Sequence, residues 1–66
     1  MKVSKLKETA NILLDLQILL ERYDVKDVVF EILSETVEIY GTHEFLLILE
    51  DNFTGTIENY KFVIEL

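Results

Sequence analysis

The stretch DVKDVVFEILSETVEIYG, residues 24–41, decides the fold of this chain, because two physical arguments divide over it. Propensity favours strand: Val25, Val28, Val29, Phe30, Ile32, Thr36, Val37, Ile39 and Tyr40 are β-branched or aromatic. Periodicity favours helix. Val25, Val28, Val29, Ile32, Leu33, Thr36, Val37 and Tyr40 recur at the spacing of a buried helical stripe, and Asp27, Glu31, Ser34, Glu35 and Glu38 fill the opposite arc with Lys26 at its edge. Only Phe30 is out of place. Asp24 as N-cap, Asp27 in the first turn and Gly41 at C′ would punctuate such a helix. The competing strands, 27–33 and 36–40, need Ser34-Glu35 as a two-residue turn, and neither residue takes positive φ easily. The spacing predicts a helix over 24–41, with the strands as the alternative.

Upstream, residues 5–22 contain no Gly or Pro and only three β-branched residues, so a helix is expected there too. Leu6, Thr9, Ala10, Ile12, Leu13, Leu16, Leu19, Leu20 and Tyr23 gather on one side of it, and Lys7, Glu8, Asn11, Asp15 and Arg22 on the other. Leu14 and Ile18 fall toward the polar side as i,i+4 neighbours. Lys5 and Lys7 in the first turn oppose the helix dipole, so that end frays unless an anion covers it. Downstream, 44–50 is a short apolar run, Asp51-Asn52-Phe53-Thr54-Gly55 carries turn chemistry, and 56–66 alternates. Tyr60, Phe62, Ile64 and Leu66 then share one face, and Lys61, Val63 and Glu65 the other, as in a hairpin with one wet side. The expected class is α+β: a single domain over 1–66, two helices followed by a β-hairpin, with one helix followed by an antiparallel meander as the alternative.

Half of the 66 residues are apolar and 29% are charged, the balance of one small folded domain. The absence of Cys excludes disulfides, thiolate chemistry and Cys-ligated metals. No signal-peptide pattern and no run of about 18 apolar residues is present, which gives the expectation of a cytoplasmic protein without a membrane role. Thirteen acids face six bases, for a net charge of −7. Lys2, Lys5 and Lys7 hold half the positive charge, leaving Arg22, Lys26 and Lys61 against every acid from Glu8 onward. A body that acidic repels phosphate backbones, so direct nucleic-acid binding is not expected.

Catalytic motifs are missing. His43 is the only histidine, in a loop-like Gly41-Thr42-His43-Glu44 connection without the second ligand or base that metal or acid–base chemistry wants. Ser4 and Ser34 lie in no nucleophile motif, Gly41 and Gly55 form no phosphate-binding loop, and Glu50-Asp51 has little room for a cleft in so small a chain. No enzyme activity, cofactor or metal is therefore expected. The one patterned set of charges is Asp27, Glu31, Glu35 and Glu38, which on a helix would form a row with steps of about 6 Å, resembling phosphates along a strand. That row is the expected contact to a basic, nucleic-acid-handling protein partner, making the chain an inhibitor, neutraliser or regulator. A dimeric accessory subunit is the alternative function. Self-association is expected through Leu14 and Ile18 on the first helix, with Val63 as a possible counterpart, in a homodimer that adds the burial a short chain lacks.

Overall fold

A computed structural model describes residues 3–66; Lys2, part of the basic start, lies outside them. Among the described residues there are two helices and four strands: α1 (Val3–Arg22), β1 (Val29–Ile32), β2 (Thr36–Tyr40), α2 (His43–Asn52), β3 (Thr56–Glu58) and β4 (Lys61–Glu65). The class is α+β, and the order follows the one-helix-then-strands alternative up to Tyr40, with a second helix inserted afterwards.

The expected helix over 24–41 is not formed; propensity overrules periodicity there. Asp24 closes α1 instead of opening a new helix. With φ at 52° it sits at C′ of a Schellman ending, in which Val25 N–H donates to the Leu20 carbonyl at 2.9 Å and Asp24 N–H to the Glu21 carbonyl at 3.4 Å. The objection to the Ser34-Glu35 turn also fails, because positive φ outside Gly occurs only at Asp24, Asn59 and Tyr60 among the described residues. The chain reverses through ordinary backbone, and Leu33 N–H donates to the Thr36 carbonyl at 2.8 Å. Gly41 has no positive φ either; it leads into α2.

The run 44–50, expected as a strand, is α2. Thr42 caps it, its hydroxyl accepting from Phe45 N–H at 3.2 Å, Glu44 supplies an acid in the first turn, and the Leu-rich interior suits a helix better than a pleated strand. Alternation over 56–66 hides a further turn. Asn59 and Tyr60 both take positive φ, 46° and 66°, the type I′ pattern that sets Glu58 opposite Lys61. An aromatic residue there carries backbone strain and, with Tyr60 88% exposed, gains no packing in return. Tyr60→Gly should therefore raise stability by about 0.5–1 kcal/mol, read as a higher urea midpoint.

The strands form one antiparallel sheet in the order β1-β2-β4-β3. On one face Phe30, Ile39, Phe62 and Ile57 lie in one row and Ile32, Val37 and Ile64 in the next. Both helices cover this face, and Leu16, Leu19, Phe45, Leu46 and Leu49 complete the core. The sequence reading of α1 holds for its buried residues: Thr9, Leu16 and Leu19 are buried, Ile12, Leu13 and Leu20 pack half-buried, and Leu14 and Ile18 are exposed. Thr9 donates its hydroxyl to the Lys5 carbonyl at 2.8 Å, so the one buried polar side chain among the described residues is satisfied. Leu6 and Ala10 of the expected stripe, however, stay exposed or nearly so.

Candidate protein-binding surface

The face of the sheet away from the helices is open and acidic. Pairing aligns Val29, Tyr40, Lys61 and Glu58 in one row, Glu31, Glu38, Val63 and Thr56 in the next, and Thr36 with Glu65 in the third. Neighbouring side chains in such rows stand about 5 Å apart. Four carboxylates and one ammonium thus share a surface that no helix covers.

At its centre is a small network. Lys61 Nζ lies 3.0 Å from Glu38 Oε2, and the Tyr40 hydroxyl donates to Glu38 Oε1 at 3.1 Å. Lys61 also sits 5.9 Å from the centre of the Tyr40 ring. The Lys61 bond, assisted by Tyr40, holds the Glu38 carboxyl below its ordinary range against the opposing effect of desolvation. The same bond with Glu38 holds Lys61 above its ordinary range, and the Tyr40 bond to Glu38 does the same for Tyr40. The stabilisation from Glu38 is present above the ordinary carboxylate value of 4.5 and is lost as pH falls through the lowered one. That from Lys61 is present below 10.5 and is lost as pH rises through the raised value.

The helical row of Asp27, Glu31, Glu35 and Glu38 does not exist in this fold. Asp27 lies in the connection before β1, exposed. Glu31 and Glu38 do come together, directly opposite each other on the open face. Glu35 lies in the β1–β2 turn and pairs with Lys5, supplying the anion that the basic first turn of α1 requires. Glu58 and Glu65 join Glu31 and Glu38 on the open face, and sequence reasoning passed over them. The signal for Glu65 was the alternation around Lys61 and Val63, whereas the same alternation puts Glu58 on the face of Phe62, and Glu58 reaches the open face only through the turn at Asn59-Tyr60.

The two residues expected to mediate self-association, Leu14 and Ile18, lie on the outer side of α1, 57% and 48% exposed. Val63 is no counterpart to them: it is buried on the opposite side of the molecule, within the open face of the sheet. His43 is exposed at the start of α2. No three His, Cys, Asp or Glu residues converge as a metal set among the described residues, and no helix there is long and apolar enough to cross a membrane. Comparison with protein-family models, curated proteins and solved structures finds no match for this chain.

Proposed function

We propose that this protein is a small acidic binding module of the cytoplasm, acting as an inhibitor, neutraliser or regulator by occupying a basic protein, with no chemistry of its own. The observation that carries the reading is the uncovered sheet face. Lys61 is already engaged with Glu38, which leaves Glu31 on β1, Glu65 on β4 and Glu58 on β3 to present negative charge from one edge of the sheet to the other. Carboxylates spread over the face at separations of roughly 12–16 Å complement a broad basic surface of the kind that otherwise receives phosphates, so the favoured partner is a protein that handles nucleic acid. The helical phosphate mimicry suggested by sequence spacing gives way to a sheet-borne version.

The test is salt-dependent capture. A partner retained on the immobilised chain at about 0.05 M salt should be released toward about 0.5 M, because exposed charge pairs are screened over a Debye length. Replacing Glu31, Glu58 and Glu65 together by Lys should abolish retention while the far-ultraviolet circular dichroism stays native, since all three are exposed. Equal retention of parent and triple variant at both salt concentrations would rule the acidic face out. An accessory-subunit role is favoured by a different observation, the apolar edge of β1, and assembly through that edge would survive the triple substitution.

A further inference from the structure

The two edges of the sheet are unequally protected. Edge strands of monomeric proteins are short, charged, bulged or broken by Pro, because their free N–H and C=O groups template pairing with another chain. β3 fits this pattern, with three residues including Glu58. β1 does not. It consists of Val29, Phe30, Glu31 and Ile32, every one exposed, with Leu33 following at 39% exposure. Since Leu33 bonds to Thr36, alternation directs the N–H and C=O of Val29 and Glu31 toward β2 and those of Phe30 and Ile32 toward the free edge. Val28, just before the strand, continues the outward set.

The side chains point the same way. Phe30 and Ile32 lie on the helix-covered face beside Ile39 and Val37, which are fully buried, yet they remain 41% and 47% exposed. The helix layer stops short of β1. α2 lies over β3 and β4, and the flank of α1 bearing Glu8, Ile12, Asp15 and Leu19 faces Phe53. The opposite flank, with Leu6 59% exposed and Leu13 half-buried, therefore runs along the β1 side. A free backbone ladder and an apolar shelf are adjacent.

We propose that a second copy of this chain occupies this edge, β1 pairing antiparallel with its mate about a two-fold axis at Phe30, so that two sheets become one of eight strands with all helices on the same side. Self-complementarity of the apolar edge selects the occupant and the backbone the register, since Phe30 is the outward-facing residue nearest the middle of β1 and an axis there pairs the whole strand. An axis at Glu31 would set two carboxylates face to face, and an axis at Val29 would set Glu31 against Asp27 of the mate. With Phe30 on the axis, Val29 meets Glu31, Val28 meets Ile32, and no like charges oppose. Lys26 then comes level with Ser34 of the mate, one residue from its Glu35, and symmetry repeats this at the other end. The residues brought together by hydrogen bonding, Phe30 with Phe30 and Val28 with Ile32, are those whose backbone groups face outward. The proposal is independent of the acidic-face reading and has the opposite salt dependence: two chains of net charge −7 repel, so added salt strengthens the dimer, whereas it weakens capture of a basic partner.

Sedimentation equilibrium of the full chain from about 5 to 500 μM should show a species of twice 7.8 kDa, more abundant at higher salt. Phe30→Lys should weaken dimerisation by roughly 100-fold or more, with native circular dichroism, because two ammonium groups would face each other on the axis. The chain has no cysteine, so the register can be read covalently. Mixed Val29→Cys and Glu31→Cys chains should oxidise to the mixed disulfide in preference to either self-linked product. A folded parent that stays monomeric throughout, with an extended segment of some other protein left to fill the edge, overturns the proposal. So does a Phe30→Lys chain that remains dimeric until Leu14→Glu or Ile18→Glu is added, since the helix–helix interface would then be the true one. Predominant self-linking of either Cys variant overturns the register.

Discussion

Gly55→Ala should cost about 3 kcal/mol or more of folding stability, at the upper end of what overpacking costs. A Cβ at this position would lie 2.4 Å from the Val63 carbonyl oxygen and 2.8 and 2.9 Å from Cζ and Cε2 of Phe62. Neither neighbour can retreat. Val63 belongs to β4, which is paired on both sides, and Phe62 is fully buried. The methyl group must push the chain before β3 away from the sheet, loosening the β3–β4 hairpin. The cost is steric, because Gly55 has no positive φ. A domain of this size has roughly 3–10 kcal/mol to lose, so the urea midpoint should fall by about 2 M or more. Gly41→Ala is the control. Its Cβ would meet only side chains, Phe45 Cδ2 at 3.3 Å and Val28 Cγ2 at 3.6 Å, and should cost less than about 1 kcal/mol. If both variants unfold at nearly the parent midpoint, the packing around Gly55 is looser than the structure shows.

How far the fold can be read from the chain depends on whether each signal is local. α1 was legible because propensity favours helix throughout and periodicity agrees over most of it, Leu14 and Ile18 aside, and the buried positions Leu16 and Leu19 followed. The wet side of β4 was legible because the alternation holds within Lys61–Glu65, although it breaks at the Asn59-Tyr60 turn before it. Residues 24–41 failed as a helix because the same spacing arises in a hairpin whose first strand is apolar on both faces: Val29 points to the open side and Phe30 and Ile32 to the core side. Phe30, which the helical pattern could not place, was the informative residue. An edge strand awaiting a partner is a physical reason for such a two-sided pattern, so the misreading and the proposed dimer share one origin.

The remaining misreadings were also physical. The apolar run 44–50 satisfies a buried strand and a short helix alike, and the Thr42 cap was the deciding mark. Tyr60 imitated an inward-facing strand residue although it occupies a positive-φ turn. The acidic surface depended on pairing between distant strands. Glu31 meets Glu38 across one hairpin, while Glu58 and Glu65 reach the same face through β4, a register that local spacing does not encode. Helical geometry grouped Asp27 and Glu35 with Glu31 and Glu38; the sheet separates them and gives Glu35 to Lys5.

Phe62→Ala should be the most damaging single truncation in the core, at about 3–5 kcal/mol, enough to leave much of the population unfolded. Phe62 lies between Ile39 and Ile57 in the core row of the sheet and is completely buried. Removing the ring leaves a cavity between the sheet and the helices, flanked by Ile39 and Ile57, whose strands cannot shift to fill it without breaking ladder bonds. Unfolding should be followed at one fixed chain concentration, since any association adds to apparent stability. A milder change then isolates the contact with Gly55. Phe62→Leu keeps most of the volume but removes the ring atoms that the Cβ introduced by Gly55→Ala would strike. Alone it should cost about 1–2 kcal/mol. Combined with Gly55→Ala it should cost less than the sum of the two, by about 1 kcal/mol, because residues in contact couple. Rescue should be incomplete, since the Val63 carbonyl stays in place at 2.4 Å from the added Cβ. A double variant that is additive within about 0.3 kcal/mol would assign the whole steric cost to that carbonyl and none to the ring.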